Sequence, residues 1–388
     1  QSRYNSQLVV MATKHDKSKL VAQPFKDILD MTVQEVLVDP LDPDGVRAAL
    51  RGAAKSLSAT AQTITVSLQL LMNAADESAV DWMHLIVAAL GEATYNFTTS
   101  KAKTAKKSWT GQFTLAVDAA PRLKREFDRA VAVMAGMNLA KEWANRPANL
   151  ATPSMLADEA RRLAKFKNMR VEVLGPKEVA KLKMGAFMAV AQGSAQPLRF
   201  IVVRYQGAEA AKAPVVLVGK GITFDTGGIS IKPADGMEEM KMDKNGAIAV
   251  LEAAATVAQL DPGRVIHAVA ACVENMPSGH ATRPGDVVTA LNGKRVEITN
   301  TDAEGRLILG DALHFAERDL GATHLIDVAT LTGIVYSAFG GEVAGSCGTD
   351  PAFLDEAHLA ARRAGEVLWP YPLADAYMKN MDTWSADM

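Results

Sequence analysis

Five apolar runs, Arg170 to Leu174, Arg199 to Tyr205, Val215 to Val218, Val265 to Cys272 and His324 to Ala329, recur with helical patterns between them. Each has the length of a strand. Strand, helix, strand at this spacing needs crossover connections, which give a mostly parallel sheet covered by helices on both faces. The predicted fold class is therefore α/β, and chemistry is sought just beyond the carboxyl ends of the strands, where such sheets collect functional groups.

With 388 residues the chain is too long for one ordinary core, and two domains are expected. From Gln7 to Val117 strand-like runs at Leu8 to Met11, Thr63 to Val66 and Phe113 to Val117 alternate with helical patterns such as Val80 to Ala93. This stretch carries no clustered acids, clustered histidines or glycine-rich phosphate loop. Residues 1–121 read as a smaller N-terminal α/β scaffold or assembly domain. Leu123, Phe127, Val131, Met134 and Leu139 then recur at helical spacing and predict a connecting helix over 122–144. After Asn145-Arg146-Pro147, Thr152 is a natural N-cap with Pro153 in the first helical position. Residues 145–388 form the predicted second domain, where chemistry is expected.

Charge and cysteines narrow the partners. A net charge of −2, from 42 basic and 44 acidic residues, offers no bulk attraction for nucleic acid or an anionic membrane. Cys272 and Cys347 stand far apart without a CxxC partner, which argues against a disulfide framework or thiolate zinc site and for a reducing compartment. No apolar run of about 18 residues is present, and Gln1 to Val10 lacks a basic-then-apolar leader. Cytoplasm is the expected location.

Two clusters carry chemistry. The first follows the strand at Val215: Gly219, Lys220, Gly221, Asp225, Gly227 and Gly228, then Lys232 and Asp243. Glycines around a lysine and an acid let backbone approach a ligand closely, although a solvated, turn-rich loop shares that composition. No GxxxxGK[ST] phosphate loop is present. The second cluster is Asn300, Thr301, Asp302, Ala303, Glu304, Gly305 and Arg306, followed by a helical pattern from Leu307. In an extended segment Asp302 and Glu304, two apart, point to one side. Like charges so close are costly without a cation, and hard oxygen ligands suit magnesium, manganese or zinc. Acids decorating a helix N-terminus are the plainer account. The seven histidines, His15, His84, His267, His280, His314, His324 and His358, form no HExxH or other ligand-spaced set and read as structural.

The stretches VGKGITFDTGGISIK, from Val218 to Lys232, and NTDAEGRL, from Asn300 to Leu307, resemble the cytosolic leucine aminopeptidase family. Asn275 to Ser278, Arg283 to Asp286 and Ala329 to Gly333 match it too, and the similarity runs from about Asn145 to the end of the chain. The resemblance implies hydrolysis of a leucine-like N-terminal residue from peptides by water activated between two divalent ions, manganese, zinc or magnesium. It also implies that Asp225 and Glu304 bridge the two metals, Asp302 serves a looser, exchangeable site, and Lys220 and Asp243 serve a tighter one. Lys232 matches the catalytic lysine, and Arg306 an arginine holding bicarbonate beside the scissile bond. Met240, Thr330 and Gly333 match part of the pocket for the substrate's first side chain. A homohexamer with active sites facing an internal cavity is the implied assembly.

Physical chemistry adds requirements. Lys220 ligates only as the neutral amine, so its pKa must be lowered by the dications and by burial. Lys232, expected outside the cage, is suited to stabilise an oxyanion. The family's usual uncharged residue after the acid is replaced here by Lys244, followed by Asn245. A cation there weakens metal binding unless its side chain points to solvent. Family members continue beyond the position matching Met388, so part of the sheet and one pocket wall are expected beyond the sequence. Two other classes use similar residues: a catalytically silent member acting as a scaffold, binding or DNA-binding protein, and another dimetal hydrolase such as a phosphoesterase.

Overall fold

The computed structural model describes residues 6–13, 32–38, 43–57, 63–67, 78–101, 112–116, 121–208, 214–260 and 262–388. His15 and Val117 lie outside them. The chain divides into two compact units, Gln1–Asn138 with Glu342–Pro370, and Leu139–Gly341 with Tyr371–Met388.

The first unit contains β1 (Ser6–Thr13), β2 (Thr32–Val38), α1 (Pro43–Leu57), β3 (Thr63–Ser67), α2 (Ser78–Thr94), β4 (Gln112–Ala116) and the start of α3 (Pro121–Asn145). Its strands lie in the order β2-β1-β3-β4, and every neighbouring pair is parallel. Val46, Leu50, Met83, Ile86, Leu90 and Leu123 join α1, α2 and α3 in one core.

The second unit follows with α4 (Pro153–Arg161), β5 (Met169–Leu174), α5 (Pro176–Leu182), α6 (Gly185–Ala191), β6 (Arg199–Tyr205), β7 (Val215–Asp225) and α7 (Asn245–Leu260). It continues through β8 (Ile266–Asn275), β9 (Asp286–Thr289), β10 (Arg295–Ile298), α8 (Glu304–Leu320), β11 (His324–Val328) and α9 (Ile334–Phe339). Thr152 caps α4 as its sequence predicts: the side-chain oxygen accepts from the Met155 N–H, and Pro153 takes the first turn.

The main sheet runs β11-β7-β8-β6-β5. β7 pairs parallel with β8 and β11, whereas β6 is antiparallel to both of its neighbours. Four strands therefore share a direction, so the sheet is mostly parallel with one reversed strand in its interior. Along β6, Phe200 and Val202 join the core formed with α6 and α8, while Ile201 and Val203 join the core formed with α4 and α7. Both faces are covered, which explains why the strand reads as a continuous apolar run. Phe200 meets Phe315 edge-on at 5.0 Å between ring centroids, and each such buried side chain contributes roughly 1.5–3 kcal/mol.

β12 (Val343–Ser346), α10 (Pro351–Arg363) and β13 (Val367–Pro370) close the chain order, with β12 parallel to β13. This segment belongs with the first unit, where Arg47 Nη1 donates to the Gly365 carbonyl at 3.1 Å. In the compact units the division falls between Asn138 and Leu139 inside α3, and 342–370 groups with the first unit. No helix among the described residues is long and apolar enough to cross a membrane.

One buried acid in the second unit lies away from the two motif clusters. Glu252 on α7 is buried, its Oε2 has no hydrogen-bond partner, and burial together with the charge of Glu159 pushes its pKa up to about 7. The folded protein keeps a proton there that the unfolded chain releases near 4.5, so stability falls as pH rises through that interval. Glu252→Gln is expected to flatten the response: between about pH 5 and about pH 8 the wild-type melting temperature should drop more than the variant's. Identical slopes in differential scanning calorimetry would refute the assignment.

Candidate metal centre

The site forms where β7 and β8 end. Their parallel register runs from Val215 opposite Ile266 to Ile222 opposite Val273, then slips before Asp225 meets Asn275. The buried Asn275 amide donates to Asp225 Oδ1 at 2.8 Å and to the Thr301 carbonyl at 3.0 Å. It thereby ties the end of β7 to the turn that carries Asp302. The Thr301 hydroxyl completes this tie, donating to the Gly227 carbonyl at 2.7 Å and accepting from the Ser230 N–H at 2.8 Å. Gly228 lies in the left-handed region, with φ +67°, and a Cβ there would meet Asn275 Oδ1 at 2.9 Å and Thr301 Oγ1 at 3.0 Å. Glycine is required on both counts.

Lys220, on β7 in the sheet interior, is 2% exposed. Its Nζ lies 2.8 Å from Asp243 Oδ1 and 2.9 Å from Glu304 Oε1, and donates to the Thr330 carbonyl at 3.1 Å. Gly305 leaves room for this stem, since a Cβ would stand 2.9 Å from Lys220 Cε and 2.8 Å from Leu331 Cδ1. Asp225, Asp302 and Glu304 offer carboxylate oxygens that all lie within 4.8 Å of one another. Lys232 Nζ lies 3.0 Å from Asp225 Oδ2 and 2.5 Å from Asp302 Oδ1. All five expected ligands and Lys232 are therefore brought into one cluster.

Several expectations need correction. Asp302 and Glu304 do not share an extended segment: Asp302 lies in a turn, and Glu304 opens α8. They converge because the chain bends at Ala303, with φ −107° and ψ 31°. The helix-end account of these acids is thus correct locally and coexists with the cluster. Glu304 is buried at 2% exposure. Lys232 stands among the carboxylates, not outside them, and is half-buried.

Burial acts to lower the Lys220 pKa, but Asp243 and Glu304 outweigh it and raise the value. Among its own carboxylates Lys220 is a cation, so the depression that ligation needs has to come from bound dications. Burial pushes Asp243 up to about 7, against the opposing pull of Lys220, and pushes Glu304 upward too. For Lys232, Asp302 and Asp225 likewise outweigh burial and raise the pKa.

Lys244 points neither to solvent nor into the cluster. It is wholly buried, and its Nζ donates to the carbonyls of Ala144 at 3.1 Å, Arg146 at 3.0 Å and Lys241. Ala144 lies in the last turn of α3, where carbonyls lack helical partners and attract a cation. Burial and the neighbouring Lys241 lower the Lys244 pKa to about 8.

The remaining expected site residues are more dispersed. Arg306 is exposed in the first turn of α8, Met240 is half-buried in the 3-10 turn Met237–Lys244 that carries Asp243, and Gly333 is exposed just before α9. Thr330 alone of the pocket set is wired to the cluster, its hydroxyl donating to Asp243 Oδ1 at 2.7 Å. The clamping role of Asn275 was missed from sequence. Its signal was position, three residues past a predicted strand that runs beside the lysine-bearing one.

The donor set fits divalent ions. Asp243 Oδ2 and Glu304 Oε2 are buried without hydrogen-bond partners, an arrangement that is costly unless another group takes the lone pairs. Hard carboxylate oxygens in this number suit magnesium, manganese or zinc.

Fold and cluster define an α/β protein with a buried carboxylate and lysine cage at its strand ends. The sequence pattern of the cytosol aminopeptidase family, catalytic domain, matches residues 138–388. A probable cytosol aminopeptidase of Polaromonas sp. strain JS666 is 46% identical over 352 residues, covering 90% of this chain and 68% of the relative. One of Albidiferax ferrireducens is 50% identical over 303 residues, covering 78% and 63%. A solved structure described as the bottromycin maturation enzyme BotP in complex with Mn aligns with a TM-score of 0.85 at 28% identity, covering 99% of this chain and 85% of that one. The chain belongs to the cytosol aminopeptidase family, whose members are leucyl aminopeptidase-type metallo-exopeptidases. It spans about two thirds of the length of these curated relatives.

Proposed function

We propose that the chain hydrolyses the N-terminal residue, preferably leucine-like, from peptides with the aid of two divalent ions. The carrying observation is the convergence of Lys220, Asp225, Asp243, Asp302 and Glu304 with spare buried carboxylate oxygens among them. Asp225 and Glu304 would be shared between the ions, Asp302 would complete the looser position, and Lys220 and Asp243 the tighter. Bound divalent ions supply Lewis acidity and a water of lowered pKa. Manganese, zinc and magnesium all suit these ligands, and the Mn complex of the structural relative supports a divalent metal.

The chain's own residues do the rest. Lys232 presents an ammonium to the negative charge that develops on the peptide carbonyl oxygen. Arg306, exposed at the start of α8, has a guanidinium suited to bind bicarbonate bidentately as a proton shuttle. Met240, Thr330 and Gly333 would form part of the wall for the first side chain, with Met240 and the small Gly333 suited to an apolar, leucine-like residue. Membership of the family supports a cytoplasmic homohexamer acting on peptides, with nucleic-acid binding at most a secondary role.

Chelation is expected to abolish activity, and manganese, zinc or cobalt to restore it. Partial loss should begin at the position served by Asp302, whose side chain is 30% exposed against 6% for Asp243. Full turnover by protein shown metal-free by elemental analysis would sink the proposal. A screen of aminoacyl-nitroanilides against phosphate esters, with and without manganese, separates the peptidase from a phosphoesterase and from a silent binding protein.

A further inference from the structure

We infer that Thr330 is a positioning residue for the tighter metal position, orienting both Lys220 and Asp243, as well as being a wall of the substrate pocket. The inference rests on the metal-dependent reading above. β11 pairs with β7 in a register that ends at Val328 opposite Gly219, so Thr330 follows the strand end beside Lys220. Its carbonyl accepts from Lys220 Nζ at 3.1 Å, and its hydroxyl donates to Asp243 Oδ1 at 2.7 Å. One residue thus grips the two side chains assigned to a single ion.

The geometry matters because each ligand has a freedom that must be removed. The Lys220 ammonium has three hydrogens, facing Asp243 Oδ1, Glu304 Oε1 and the Thr330 carbonyl. A ligating amine keeps two hydrogens and one lone pair. If the carboxylates turn to the metal, the carbonyl still accepts one hydrogen, which fixes rotation about Cε–Nζ and hence the lone-pair direction. On Asp243, the hydroxyl occupies Oδ1 while Oδ2 has no partner. The carboxylate is therefore held by one oxygen and leaves the other for an ion. Partners of this kind are typically worth 10–100-fold in metal affinity.

The test titrates the metal-free full chain with Mn²⁺ alone, by calorimetry and by the electron paramagnetic resonance signal of free Mn²⁺. Thr330→Val, which keeps the shape and the backbone carbonyl but not the hydroxyl, should weaken the tighter position about 10–100-fold and leave the looser one unchanged. Thr330→Ser should retain wild-type affinity, and both metal-free variants should melt close to wild type. Should Thr330→Val fail to fold, Thr330→Ala removes the same hydroxyl and carries the same expectation. Wild-type Mn²⁺ affinity in the valine or alanine variant, with only side-chain selectivity altered, overturns the inference. A wild-type chain that takes up no Mn²⁺ overturns the metal-dependent reading itself, a different and separable result.

Discussion

A Glu304→Gln variant is expected to lose metal from both positions and to show no turnover of leucyl substrates above the chelated baseline, while keeping its far-ultraviolet circular dichroism. Glu304 is buried with a spare oxygen: Oε1 lies 2.9 Å from Lys220 Nζ, and the buried Oε2 has no hydrogen-bond partner. Glutamine keeps the volume and an acceptor for Lys220 but removes the charge that two cations would share. Alanine is a worse probe. Because Glu304 is buried, truncation opens a void and leaves Lys220 with Asp243 and the Thr330 carbonyl, and breaking a buried pair costs up to ~3–5 kcal/mol. Against a total stability of about 5–15 kcal/mol, that loss can melt the site along with its chemistry. Metal analysis and kcat on the glutamine variant decide the matter, and near wild-type turnover with two ions bound would show that the cage is misplaced.

The second large effect belongs to Lys232. Lys232→Ala should lower kcat by ~10²–10³, the scale of losing one oxyanion donor, with little change in KM. Metal content should stay at two per chain. The ammonium lies 3.0 Å from Asp225 Oδ2 and 2.5 Å from Asp302 Oδ1, so removing it takes one positive charge from that carboxylate pair. The looser position should therefore bind divalent ions more tightly in the variant, a sign opposite to that expected for a lost ligand. Lys220→Ala should instead lose metal from the tighter position. A Lys232→Ala protein that loses metal, yet recovers wild-type kcat when metal is in excess, would exchange the roles of the two lysines.

Much of the catalytic unit was legible because its signals are local. The five strand runs, the Thr152 and Pro153 helix start and the acids of both clusters follow from short stretches of sequence. The direction of β6 was not legible, since a strand buried on both faces reads as the same apolar run whichever way it points. The grouping of 342–370 with the first unit is a long-range association, as in the bond from Arg47 to Gly365, and no local pattern announces it. Asp302 and Glu304 were placed together for the wrong reason, because alternation on a strand and a turn into a helix both bring residues two apart to one point. Lys244 escaped because its partners are three main-chain carbonyls, which every sequence possesses everywhere.

The unequal depth of the cage sets unequal clocks. Lys220 sits on an interior strand with Gly305 against its stem, and it cannot swing aside unless neighbouring backbone moves. An ion held there can depart only when β7 or α8 opens locally, a process of microseconds to seconds. Asp302, with 30% of its side chain exposed, can release its grip by a rotamer change in picoseconds to nanoseconds. When the surrounding supply of metals changes, the outer position, held by buried Asp225 and Glu304 but released by Asp302, would be rewritten sooner. The inner one would keep a memory of the earlier supply, erased at the pace of the protein's own breathing.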